Sequence, residues 1–306
     1  IKKLVIVLVA FFAMQSYGQE GTASPYSFYG IGSLKFKGTV ENRSMGGLSV
    51  LADSIHLNLQ NPASFAELAL TAYTVGGSYR NFKLSNTTES SSGDNASLDY
   101  LAIGIPAGRF GFGIGIIPLS SVGYELEKVD ADGREVRFKG TGGLNKVFIA
   151  TGFKVTKNLS IGLDLNYDFG NIENKTILSR PNIQFDTREI TSSDLSSFSL
   201  SFGVNYKTMI SDKLELVASA VSIPSVGLNA DNTRELATVI VSTSGQERVV
   251  ERQDVEIENK EVDLPAEFKF GGGIGEPRKW FVGAEYAYAD SGKFSNIVSN
   301  QDNIEY

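Results

Sequence analysis

From residue 70 onward the chain alternates apolar with polar or glycine residues at a period of two, in runs longer than an ordinary soluble strand. The clearest run is LSIGLDLNYDF, residues 159–169. Leu159, Ile161, Leu163, Leu165, Tyr167 and Phe169 fall on one face, and Ser160, Gly162, Asp164, Asn166 and Asp168 on the other. Residues 198–206 repeat the pattern with Phe198, Leu200, Phe202, Val204 and Tyr206, and residues 110–116 set Phe110, Phe112, Ile114 and Ile116 against three glycines. Side chains along a strand point alternately to opposite faces, so each run has one apolar face and one polar or glycine face. Strands of about 9–11 residues with an apolar outside and a polar inside are what a transmembrane β-barrel requires. Sandwich strands are usually shorter, about 5–6 residues.

The links between runs carry a second regularity. Short links at 106–108, 156–158, 211–213 and 275–278 alternate with long ones at 85–97, 125–142, 170–196 and 222–263. Outer-membrane barrels have short turns on the periplasmic side and longer loops outside. The long links are polar and charged, which suits solvent-facing loops; the mixed-sign run 247–261 is read as a solvated surface in one of them. The strand count is nine: 70–84, 97–105, 110–124, 143–155, 159–169, 197–207, 213–222, 264–274 and 279–288. The fold class is therefore all-β, a transmembrane antiparallel up-and-down barrel. Single-chain bacterial barrels normally have an even strand number, so an odd count leads to the expectation that the C-terminal part of the barrel is missing and residues 67–306 are an incomplete barrel.

Three segments precede the strands. Residues 1–18 read as a cleaved signal peptide: Lys2 and Lys3 supply the positive start, 4–14 is an apolar stretch too short to cross a bilayer of about 30 Å, and Ser16 and Gly18 are small. Residues 19–43 form an arm interrupted by Pro25, Gly30, Gly32 and Gly38, with Tyr26, Phe28, Tyr29 and Phe36 to hold it against something. Residues 44–65, SMGGLSVLADSIHLNLQNPASF, make a compact, kinked unit. The Gly46-Gly47 pair permits a turn, and Pro62 pushes Asn61 out of the helical region. Arm and kinked unit together, 19–66, are expected to be a hatch inside the barrel. The glycines on the inner faces of the strands would give that hatch room.

The order Met45-Gly46-Gly47, Ala52-Asp53, Asn61-Pro62-Ala63, before a chain of alternating strands, resembles the FadL-type outer-membrane transporters. SPYSFYGIG, 24–32, resembles the start of Bacteroidota members of that family. The resemblance implies a barrel of 14 strands closed by a hatch, here Gly46, Gly47, Asn61, Pro62 and Ala63. It also implies passive uptake of long-chain fatty acids or other hydrophobic small molecules across the outer membrane of a Gram-negative bacterium. A lateral opening would lie in the third strand at Ile117, Pro118 and Leu119, close to Asn61-Pro62-Ala63. Proline donates no ladder bond and is confined to edges, strand starts and bulges, so Pro118 marks either a bulge or such an opening. Phe28, Tyr29, Leu48, Val50 and Leu51 are candidates to line a ligand site. More distantly the chain resembles PorV-like barrels of the type IX secretion system, which implies an alternative role as a protein-interaction component. Partners are then a hydrophobic small molecule or fatty acid, outer-membrane lipid, and possible secretion-system proteins.

Chemistry is scarce in this sequence. There is no cysteine and one histidine, His56. That leaves no thiolate or multi-histidine metal site and no disulfide, so no metal, cofactor or catalytic residue is assigned. Asp164 and Asp168 share an inner face, read as a hydrated lumen rather than a catalytic pair; on that reading Asn166→Asp would be nearly silent. A net charge of −7 makes nucleic acid an unsuitable partner.

Overall fold

The computed structural model describes residues 24–85, 90–130, 133–242, 245–277 and 279–289. The expected signal peptide and the last residues of the chain lie outside them. The described chain begins with a 3-10 turn (Pro25–Phe28), strand β1 (Ser33–Leu34), one short helix α1 (Val40–Ser44) and a second 3-10 turn (Pro62–Glu67). Everything after that is strand. No described helix is long and apolar enough to cross a membrane.

The main strands are β2 (Ala72–Ser85), β3 (Ser90–Ala107), β4 (Phe110–Pro118), β6 (Glu135–Lys154), β7 (Leu159–Ser179), β8 (Asp186–Met209), β9 (Glu215–Ile223), β13 (Glu267–Glu276) and β14 (Trp280–Ala289). They are neighbours in that order, each antiparallel to the next. These are the nine strands that the alternation predicts. With five further strands they form one sheet of 14, a membrane-barrel wall that is not closed: among the described residues β2 and β14 do not pair with each other.

The apolar faces point outward, as the alternation requires. Leu165 is 50% exposed and Phe198 68%, while Ser160, Asn166 and Asp168 are almost fully buried. An outer face of Leu, Ile, Phe and Tyr is stable in hydrocarbon, not in water, and that favours the transmembrane reading over a sandwich.

The long links are where the structure departs from expectation. β6, β7 and β8 run for 20, 21 and 24 residues. Only about 9–11 are needed to span a membrane, so the strands continue well beyond it at the end away from the short turns. Residues 125–142 and 170–196, expected as loops, are largely ladder. The 222–263 link is strand too: β10 (Val226–Val241) pairs with the outer half of β8, and with β11 (Glu247–Val255) and β12 (Lys260–Leu264). The charge run 247–261 is thus mostly β-ladder. Opposite charges facing each other hold it there: Arg188 pairs with Glu235 and Glu247, Lys175 with Glu247, and Arg234 with Glu189 at 2.7 Å. Cross-strand ion pairs stabilise this sheet together with a buried apolar face that includes Ile172, Leu195, Leu228 and Val239. The 85–97 link also shrinks, since β3 starts at Ser90.

The third predicted strand is two. It divides at Leu119 into β4 and β5 (Ser120–Val129). β3 pairs with β4 only from Leu101 to Ala107, although β3 itself reaches back to Ser90 beside β2. β5 turns away from β3 and pairs with β6 and with β1 of the arm. A gap therefore opens in the wall between the outer half of β3 and β5, and the arm runs into it.

Candidate functional site

The N-terminal segment wraps inside the sheet. Thr39 caps α1 by accepting from the Asn42 amide, with the Asn42 side chain returning the bond, a capping box. The helix stops at Gly46 and Gly47, whose φ angles of 76° and 91° favour glycine, and the Gly47 amide donates to Asn42 O at 2.8 Å. The Asn58 side chain then donates to the carbonyls of Ser49 and Leu51 and folds the middle of the segment.

Asn61-Pro62-Ala63 has a clear mechanical role. Asn61 is extended, as a residue before proline should be, and its side chain accepts from the Ala63 amide at 3.0 Å. Pro62 opens the 3-10 turn, where its missing N–H costs nothing. The Asn61 amide group donates to Asn205 Oδ1 at 2.8 Å, and Asn61 is fully buried. The motif therefore caps a turn and ties it to β8.

The wall accepts this turn through a row of glycines. Gly111, Gly152, Gly162 and Gly203 are direct partners across β4, β6, β7 and β8. A Cβ on Gly111 would stand 1.8 Å from Phe65 O, on Gly162 2.2 Å from the Ala63 nitrogen, on Gly152 2.5 Å from the Ala66 nitrogen, and on Gly203 2.1 Å from Asn61 Oδ1. Three of these four contacts are with backbone, which cannot swing aside. Polar ties complete the seat. Glu67 meets Lys154 at 3.2 Å and accepts from Ser160 at 2.7 Å; on the other side Lys37 meets Glu267 at 2.7 Å and Ser49 donates to Glu285. The segment touches strands from β3 to β14, so the sheet curves around it.

Between the arm and the wall lies a cavity of about 650 Å³. Ile31, Leu34, Leu119, Leu144, Val226 and Leu264 supply apolar walls, and Lys37, Lys146, Asp168 and Glu267 a charged side. Lys146 and Asp168 face each other in the β6–β7 register. Asp164 and Asn166 lie deeper on the same inner stripe, and their Oδ1 atoms, like that of Asp168, have no hydrogen-bond partner from the protein.

The expected site residues separate. Tyr29 lines the cavity. Phe28 does not: it is buried in an apolar core with Ile31, Val122 and Tyr124. Val50 is buried beside Gly271, and Leu51 borders a smaller pocket with Asp53 and His56; neither they nor Leu48 reach the large cavity. The residues missed, Leu144 and Lys146, sit at inward parity on β6, a signal the alternation contains; Asp168, read as an inner lumen residue, lines the cavity as expected.

The proposed lateral opening also needs correction. Ile117 and Pro118 stay paired with Lys146 and Asn145 of β6, and the Leu119 amide donates to Leu144 O at 2.8 Å. The ladder breaks on the other side, toward β3. Backbone groups alternate sides along a strand, so position 118 would present its N–H to β3, and proline has none. Pro118 thus ends the β3 ladder without leaving a bare donor. Asn61-Pro62-Ala63 is not beside this break; it lies on β6, β7 and β8, and the arm borders the gap instead, paired to β5.

His56 is hydrogen-bonded rather than free. Its Nδ1 meets Asp53 Oδ2 at 2.5 Å, and Asp53 Oδ1 accepts the Ile55 and His56 amides. Burial alone would raise the Asp53 pKa, but these bonds outweigh it and hold the carboxyl below its ordinary value. Among the described residues no group of three or more His, Cys, Asp or Glu could hold a metal ion.

A solved structure described as the CymD monoaromatic hydrocarbon channel is similar to this chain, with a TM-score of 0.30 and 9% identity, covering 86% of this chain and 94% of that one. A comparison with curated proteins gave no match. The family model that matches, over residues 1–306, is BamG, and the chain belongs to the BamG family.

Proposed function

We propose that this protein is an exported outer-membrane barrel that takes up a hydrophobic small molecule by passive diffusion, with residues 19–66 as its hatch. The observation that carries the reading is the lumen cavity, of about 650 Å³, apolar on most sides and charged on one. Ligand pockets are typically about 300–1,000 Å³ and mostly apolar with a few polar groups that set orientation. A long-chain fatty acid suits this pattern, with its carboxylate toward Lys37 and Lys146 and its tail between Leu119, Leu144 and Leu264. The hatch, seated by backbone contact on four strands, closes the end with the short turns. The wall gap beside Pro118 offers a lateral route, so Ile117, Pro118 and Leu119 mark its border and not a break in β4 itself.

The test uses the full-length barrel in liposomes, with uptake of a fluorescent long-chain fatty acid as the readout. Val226→Trp fills the cavity from the wall and should cut uptake several-fold while the protein keeps its heat-modifiable folded band. Unchanged uptake by a folded Val226→Trp barrel would refute the cavity route.

A second reading, a protein-interaction component comparable to secretion-system barrels, is supported by a different observation. β6, β7, β8, β10 and β11 build an ion-paired sheet beyond the membrane, which transport does not need. Crosslinking from β11 in intact cells tests it. Discrete protein adducts with no effect of Val226→Trp on uptake would favour this reading over transport.

A further inference from the structure

A second pocket, which meets the lumen cavity only at Leu34, lies at the wall gap. It has a volume of about 250 Å³ and is bounded by residues of the outer half of β3, by Ser121 of β5, by the inner face of β2 and by the arm. Three cations converge on it: Lys35 and Arg43 from the arm side, and Arg80 from β2. One carboxylate, Asp99, faces them. Asp99 is largely committed, accepting from Ser78 at 2.9 Å and Ser97 at 3.1 Å, and meeting Arg43 at 3.6 Å. Lys35 and Arg80 make no ion pair within 4 Å among the described residues. Burial, and then the repulsion of Arg80, lower the Lys35 pKa despite the pull of Asp99. The pocket is short of negative charge.

Its height on the wall matters as much as its charge. The outward apolar residues of β3 run from Ile105 through Ile103 and Leu101 to Leu98, and then give way to Ala96 and the exposed Asp94. At about 3.4 Å per residue and a barrel strand's tilt of about 40°, the ten residues from Ile105 to Asn95 climb roughly 26 Å, the height of a barrel's hydrocarbon belt. Arg80 pairs with Asn95, just past its edge. The cations therefore stand at headgroup level, behind a gap in the wall. Tyr26 and Leu34, both strongly exposed, border the same pocket and offer apolar contact to chains below.

We propose that the β3–β5 gap binds the phosphate-bearing headgroup of a lipid from the surrounding leaflet, with Lys35, Arg43 and Arg80 around the phosphate and the acyl chains lying along Leu34 and Leu98. Charge complementarity selects an anion, and the position of the gap at the edge of the belt selects a membrane lipid as its source. The site does not depend on the lumen cavity or on any ligand there.

Native mass spectrometry of the full-length detergent-purified barrel tests this, with phosphatidic acid as the probe, diacylglycerol of the same chains as the phosphate-free comparison and inorganic phosphate as competitor. One phosphatidic acid should be retained and diacylglycerol should not. The Lys35→Gln/Arg80→Gln variant should lose retention at least tenfold, and Lys83→Gln, also on β2, should not. Ser97→Trp, which fills the gap and removes no charge, should lose it as well, so the proposal is tested even where the double variant fails to fold. Retention that survives both the double variant and Ser97→Trp, or equal retention of diacylglycerol, would overturn the site. Full displacement by an equal concentration of inorganic phosphate would overturn the lipid as its occupant.

Discussion

Gly111→Ala is the sharpest test of the hatch seat. The added Cβ would lie 1.8 Å from Phe65 O and 2.4 Å from Phe65 C, both backbone atoms. That is well over 1 Å inside ordinary contact, and dispersion turns to steep repulsion there. Phe65 cannot retreat freely, because Gly113 on the same strand lies against its ring and the neighbouring turn residues already touch Gly152 and Gly162. Overpacking of this kind typically costs about 1–3 kcal/mol. One or two kcal/mol alters an equilibrium by a factor of about 5–30, so the fraction of barrels with an unseated hatch should rise by roughly that factor. Gly113→Ala meets only the Phe65 ring, at 2.2 Å, and a ring can swing; its effect should be smaller. Gly272→Ala meets nothing nearer than Val217 O at 3.7 Å and should be silent. The assay is limited proteolysis after Arg43 in purified full-length barrels, together with the temperature at which the folded gel band is lost. Faster cleavage in the order Gly111, Gly113, Gly272, with the folded band retained, is expected. Equal cleavage of the Gly111→Ala and Gly272→Ala barrels would refute the backbone seat.

Three other outcomes follow from the geometry. Leu165→Arg places a charge on the lipid face and should cost about 2 kcal/mol near the bilayer midplane, seen as a lower heat-modification temperature; Asn166→Asp is no longer expected to be silent, because Asn166 is 1% exposed and lies between Asp164 and Asp168 on the same stripe, so equal stability of the Asp variant and the parent would contradict the packing. Burial alone would raise Glu247, but hydrogen bonds from Lys175 and Arg188 outweigh it and hold its pKa below the ordinary 4.5; its stabilisation of the outer sheet is therefore present above pH 4.5 and lost as pH falls below that, and protection of β11 from an acid-active protease should show this step in the parent and not in Glu247→Gln. Pro118→Val restores a backbone donor on the side facing β3, so the ladder should lengthen past Leu101 and fatty-acid uptake through the gap should fall; an unaltered amide-exchange pattern on 97–101 would show that proline does not set the end of that ladder.

Much of this architecture is written in local pattern. Period-two alternation alone determined the nine wall strands, which face of each meets lipid, and where the short turns fall, because a side chain's direction in a strand depends only on its parity. The Asn-Pro step determined a kink, since it acts through the two residues themselves. The glycines announced a close approach. What they approach was decided by register: only when β4, β6, β7 and β8 pair do Gly111, Gly152, Gly162 and Gly203 become one row, and register is a property of partners distant in sequence. The outer sheet was hidden for a related reason. Its strands interleave ion-paired residues, such as Arg188 with Glu235, with buried apolar ones such as Ile172, Leu195, Leu228 and Val239, so the alternation over 170–196 and 226–255 is broken by charges and reads as loop. Pro118 marked a break in the third strand but not which neighbour it would part from; that depended on which side its missing N–H faces. The lumen cavity lies furthest from the sequence. Leu119 and Leu144 are ladder neighbours, but Leu264 of β12 and Ile31 of the arm are far from them in the chain and meet them there only because the sheet curls around the arm.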